Sequence, residues 1–206
     1  AAMLWAAVPP LQEVHAVTVV VGALVQEAVR YWFIRIYARV EVQVARLTPR
    51  GAPMALNDVS SAVASGLGYG VIHALIMYGS VLGSSMGSAA LYLDTCDGMS
   101  LFTLSALSAL SFQALHLLLM VLAFDAFRRG SKLLGARVVG LHLLASLTTL
   151  LSRVDSGCFA VAPLLFVIVF VCAFFCWRVM RDFDYAGRRP ATAGGSSRSL
   201  SRDGGS

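Results

Sequence analysis

Hydrophobic residues in this chain gather into five long runs, at about residues 15–38, 56–82, 100–127, 133–151 and 158–177, separated by short polar stretches. Crossing about 30 Å of hydrocarbon takes about 20 helical residues, and each run has roughly that length. A segment in lipid must satisfy its backbone groups internally, so each run is predicted to be an α-helix. The pattern predicts an all-α fold: a polytopic transmembrane helix bundle of about five spans, forming one domain over residues 1–177. Residues 178–206 are basic and, from about residue 187, dominated by Gly, Ser and Arg, which predicts a disordered tail.

Composition supports the same class. The chain is 58% hydrophobic and 13% charged, with a mean hydropathy of +0.75, whereas soluble domains carry roughly 25% charged residues. The net charge of +5 is informative through its placement. Arg39, Arg46 and Arg50 follow the first run, and Arg128, Arg129 and Lys132 follow the third. Arg178, Arg181, Arg188, Arg189, Arg198 and Arg202 follow the fifth. Between the second and third runs stand Asp94 and Asp97 with no Lys or Arg, and between the fourth and fifth Arg153 is offset by Asp155. Basic and non-basic connections alternate, as the positive-inside rule requires. The first span is then expected to start on the lumenal or extracellular side and the C-terminus to be cytosolic. Such placement also argues against a nucleic-acid partner.

Polar residues inside the spans are the candidate chemistry. The first span holds Gln26, Glu27 and Arg30. A charge at membrane depth costs about 2.5–3.5 kcal/mol even on permissive scales, and Glu27 and Arg30 can pair at i,i+3. Two readings stand: a polar staple to neighbouring spans, or an ion or proton path. In the second span Ala62, Gly66, Gly70 and Ala74 recur every fourth residue, a row that admits a second backbone. Gly79, Gly83 and Gly87 repeat the spacing. The row serves either packing within the bundle or contact with another protein. His116 and His142 lie 13 residues before and after Arg129. In a helical hairpin both then stand about 20 Å from the turn. Ser105 shares a face with His116, and Ser146, Thr149 and Arg153 share one with His142, so either a hydrated cavity or an interhelical hydrogen-bond network is expected.

Cys96 and Cys158 fall on the lumenal side, where a disulfide is permitted, while Cys172 and Cys176 read as lipid-facing. No HExxH or P-loop occurs, and no span has an Asp in its interior, Asp125 lying at a cytosolic helix end. Two histidines fall short of the ligands zinc takes. No catalytic residue, metal or cofactor is expected, nor does the stretch before the first span read as a cleavable signal.

The motifs together resemble the anterior-pharynx-defective (APH) family, the scaffold subunit of γ-secretase. VVVGALVQEAVRYWFIRIY, with its QE-x-x-R core of Gln26, Glu27 and Arg30, is similar to that family's third helix. SGLGYGVIHA resembles its Gly-rich fourth helix. LHLLLMVLAFDA carries His116 and the Phe124-Asp125 pair, and HLLASLTTLLS carries His142, in family positions. The resemblance implies a non-catalytic assembly role with presenilin, nicastrin and the presenilin enhancer. It also implies Notch-type protein processing by intramembrane proteolysis, and residence in the endoplasmic reticulum, Golgi and plasma membrane. Gly66 and Gly70, flanked by Ala62 and Ala74, would mediate assembly; His116 and His142, with Gln26, Glu27 and Arg30, would support a cavity and the presenilin contact. Two departures stand out. The family has seven spans and this chain five, so the first two are expected to be missing from this sequence, which begins with Ala1; and Ala74 stands where the family continues its glycine series. The rival readings are a small multi-pass transporter or channel with a polar path through Glu27, Arg30, His116 and His142, and a histidine-dependent intramembrane hydrolase.

Overall fold

A computed structural model describes residues 15–47, 58–85, 92–93 and 96–187. Its elements run in order α1 (His15–Leu47), α2 (Asp58–Ser85), β1 (Tyr92–Leu93), β2 (Cys96–Ser100), α3 (Leu101–Arg128), α4 (Lys132–Thr148), a 3-10 turn (Thr149–Arg153) and α5 (Cys158–Gly187). Among the described residues, five helices are long and apolar enough to cross a membrane. The protein is a multi-pass helical membrane protein.

Two helices outlast their hydrophobic runs. α1 continues to Leu47, so Arg39 and Arg46 lie on a helix rather than in a connecting loop. Arg, Glu, Gln, Leu and Ala all favour helix, and nothing in ARVEVQVARL breaks it. α5 continues to Gly187, which puts Arg178 and Arg181 on helix instead of in a tail. Residues 188–206, where the rest of that tail was expected, lie outside the described residues.

α3 is the hub. One cluster joins its Phe112, Leu115 and Leu119 to Val138 and Ala145 of α4 and to Cys158, Val161, Leu165, Ile168 and Cys172 of α5. A second joins its Met120, Val121 and Phe124 to Ile34 of α1, Ala62 of α2 and Cys176 of α5. Cys172 and Cys176 therefore face α3 and not lipid; the Cys176 thiol donates to the Leu118 carbonyl at 3.3 Å. Large apolar side chains such as Ile72, Leu75, Ile76 and Phe170 point outward, where lipid covers them.

Sharp local signals set the α3–α4 hairpin. Gly130 has φ +60, a left-handed conformation that glycine adopts without cost. The Ser131 amide donates to Ala126 at 3.0 Å and the Gly130 amide to Phe127 at 3.1 Å, the paired bonds of a Schellman ending. The Ser131 hydroxyl then caps α4, accepting from the Leu134 amide at 3.4 Å. At the opposite end β1 and β2 pair antiparallel, with Tyr92 opposite Ser100 and Leu93 opposite Cys96. Gly98 brings this hairpin onto α5: a methyl group there would stand 2.9 Å from the Phe159 ring.

Candidate functional site

Five helices in lipid gain little from burying apolar surface against one another, so polar contacts and close packing must specify the arrangement. The polar contacts centre on Glu27 and Arg30. One turn of α1 puts the two side chains on the same side, and the Arg30 Nη1 donates to Glu27 Oε1. Both reach into the bundle, where Arg30 is 1% and Glu27 8% exposed. Two other helices complete the site. Arg30 Nη2 lies 2.9 Å from Nδ1 of His116 on α3, and Glu27 Oε1 lies 2.5 Å from Nδ1 of His142 on α4.

Chemistry fixes the roles. A guanidinium only donates, so His116 Nδ1 accepts, and the neutral ring carries its proton on Nε2. A carboxylate accepts, so His142 Nδ1 donates. The two imidazoles meet edge to face with centroids 5.0 Å apart. Arg30 also lies over the Tyr69 ring at 5.5 Å, and the Tyr69 hydroxyl donates to the Gln26 carbonyl at 3.1 Å. The structure thus joins Glu27, Arg30, His116 and His142 across α1, α3 and α4. It leaves the Gln26 side chain outside: its Oε1 is buried with no hydrogen-bond partner.

A residue that the sequence reading passed over belongs to this cluster. His73 of α2 stacks on His116 with centroids 4.5 Å apart and on Phe112 at 5.2 Å. Its signal lay in plain spacing: Gly66, Gly70 and His73 follow i, i+4, i+7 and share a helix face. Nε2 of both His73 and His116 is buried and unpartnered. No group of metal-holding side chains occurs among the described residues.

The small-residue row packs inside the chain. A methyl group on Gly66 would stand 2.8 Å from the Leu117 Cα, and one on Gly70 2.8 Å from the Gln113 carbonyl oxygen. The backbones of α2 and α3 therefore touch along this face, and Ala62 continues it, 1% exposed. Of the two readings of the row, packing within the bundle is the one this geometry matches, since α3 occupies the face of Gly66 and Gly70. Ala74 is half-buried. Gly79 and Gly83 have open space where a side chain would be.

Nearer the basic end, Arg128 joins three helices by donating to Glu41 of α1 at 2.5 Å and Asp58 of α2 at 2.6 Å. Tyr37 donates to the same Asp58 at 3.3 Å. A cavity of about 430 Å³ runs from Glu27 and Arg30 past Ile34 and Phe127 to Ser131 and Lys132 at the α3–α4 turn. At the other end Cys158 is disulfide-bonded. The side chain of Cys96 lies outside the described ones.

Known proteins share this framework. A family model described as Aph-1 protein matches residues 1–182. The "Gamma-secretase subunit APH1-like" protein of Arabidopsis thaliana is 30% identical over 169 residues, covering 81% of this chain and 68% of that protein. The "Gamma-secretase subunit Aph-1" of Drosophila melanogaster is 35% identical over 150 residues, covering 72% of this chain and 62% of its own length. With its helical membrane bundle and these matches, the chain belongs to the Aph-1 family.

Proposed function

We propose that this chain is a non-catalytic scaffold subunit of the γ-secretase intramembrane protease, holding presenilin, nicastrin and the presenilin enhancer together. The observation that carries the reading is the buried Glu27–Arg30–His116–His142 network in a chain of the Aph-1 family. It locks three helices into one rigid body, which is what a scaffold must offer its partners. The buried carboxylates of the described spans, Glu27 and Asp125, are each engaged by an arginine, an arrangement suited to structure and not to proton transfer. The basic end, with Arg128, Arg129, Lys132, Arg178 and Arg181, faces the cytosol, and the end carrying Cys158 faces the lumen, where Cys96 is its disulfide partner. The scaffold works in the endoplasmic reticulum, Golgi and plasma membrane, in the processing of Notch-type substrates.

Co-purification tests the reading. A tagged chain solubilised in mild detergent should bring down presenilin and nicastrin, and Arg30→Met should sharply reduce the yield. A chain that accumulates in the membrane yet never brings down a protease subunit would overturn it.

A further inference from the structure

A second cavity, of about 220 Å³, opens at the basic end between α3, α4 and α5. Three arginines from three different helices line it: Arg129 at the end of α3, Arg137 on α4 and Arg178 on α5. The cavity also holds one acid. Asp125 is 4% exposed and accepts from Arg129 Nε at 2.7 Å. That pairing offsets one cation and leaves two. Among the described residues no carboxylate engages Arg137 or Arg178, and Arg178 lies over the Phe174 ring at 4.8 Å. The remaining wall is apolar, and Leu141 on α4 and Phe175 on α5 are the lining residues that lie farthest along those two helices from their basic ends.

Cations gathered in a concavity with low-dielectric walls raise the local potential and concentrate anions. Guanidinium groups suit phosphate oxygens in particular, because two parallel N–H donors match two oxygens. Arg137 lies inside the apolar run of α4, where its stem can follow hydrocarbon while its head reaches toward the headgroup level. Polar groups at the rim and an apolar wall continuing toward the membrane interior match a molecule with a phosphate head and an acyl chain. We propose that this cavity binds the headgroup of an anionic phospholipid, with the phosphate between Arg137 and Arg178 and the first acyl segments along Leu141 and Phe175. A soluble phosphate ester would meet the same arginines; the apolar wall favours the lipid. With the basic end cytosolic, as proposed above, the site draws on the inner leaflet, but binding itself does not depend on that orientation or on assembly.

The experiment titrates detergent-solubilised full chain with dioctanoyl phosphatidic acid, dioctanoyl phosphatidylcholine or inorganic phosphate, reading affinity by thermophoresis. Phosphatidic acid should bind saturably and tighter than the other two. The double variant Arg137→Leu, Arg178→Leu should bind it about thirtyfold more weakly, since each basic residue near a charged headgroup contributes on the order of a factor of five. Both side chains are exposed, and an unchanged melting temperature will show that the variant folds. Arg181→Leu, whose guanidinium lies over Trp177 away from the cavity, should leave the affinity unchanged. Equal binding of phosphatidylcholine, equal binding of inorganic phosphate, or a double variant that binds like the parent would each overturn the proposal.

Discussion

Arg30 of α1 donates to Nδ1 of His116 on α3 at 2.9 Å, and the imidazole is thereby held as an acceptor against a cation. The contact places a charged side chain, 1% exposed, at the junction of three helices. Its other Nη group serves Glu27, whose carboxylate in turn holds His142. The ion pair is thus closed by two histidines on separate helices.

Removing one member should be worse than removing the charged pair. Arg30→Met leaves Glu27 buried beside His142 without its cation, and loss of one partner of a buried pair costs about 3–5 kcal/mol. The double change Glu27→Gln, Arg30→Met should recover more than half of that loss. Equilibrium unfolding in mixed micelles measures both, and equal destabilisation of the single and double variants would show that the charges are not coupled.

The α2–α3 contact yields a graded series. Gly70→Ala puts a methyl group 2.8 Å from the Gln113 carbonyl oxygen, so the helices must separate. The expected loss is about 1–3 kcal/mol, the usual size of an overpacking penalty. Gly68→Ala, where nothing lies within 4 Å, should be neutral or slightly stabilising because alanine favours helix. Melting temperatures of the two variants in detergent should differ, Gly70→Ala alone falling.

At the α3–α4 turn, Gly130→Ala places a Cβ in the left-handed region at φ +60. The substitution should cost about 1–2 kcal/mol, while Gly140→Ala, in open space within α4, should cost nothing measurable. Thermal unfolding of the two side by side is the check.

Alkylation of the unfolded, unreduced chain should label Cys172 and Cys176, both free thiols, and neither Cys158 nor Cys96. Prior reduction should expose all four. Peptide mass spectrometry reads the outcome; a labelled Cys96 without reductant would assign Cys158 another partner.

Much of this was legible in the order of residues. The existence of each helix followed from the length of its apolar run, and the common depth of His116 and His142 from their equal distance to Arg129. Other features needed three dimensions. Arg39 and Arg46 read as loop because charge ends a hydrophobic run, yet a helix can continue into water with its hydrogen bonds intact. A row of small residues announces that some backbone comes close, but not whose; only the fold shows that α3 fills the face of Gly66 and Gly70. His73 was hidden by that same row, although i, i+4, i+7 spacing placed it there. Arg137 was passed over because a single arginine inside an apolar run carries no partner in the sequence, and its neighbours Arg129 and Arg178 come from other helices.

The polar junction also dictates an order of events during synthesis. Glu27 and Arg30 emerge long before their partners, since His116 follows Arg30 by 86 residues and His142 follows Glu27 by 115. At a translation rate of about 5–20 residues per second, α1 must wait on the order of ten seconds for them. Through that interval the i,i+3 pair is the charges' own shelter, and α1 enters the membrane before either histidine can complete its network.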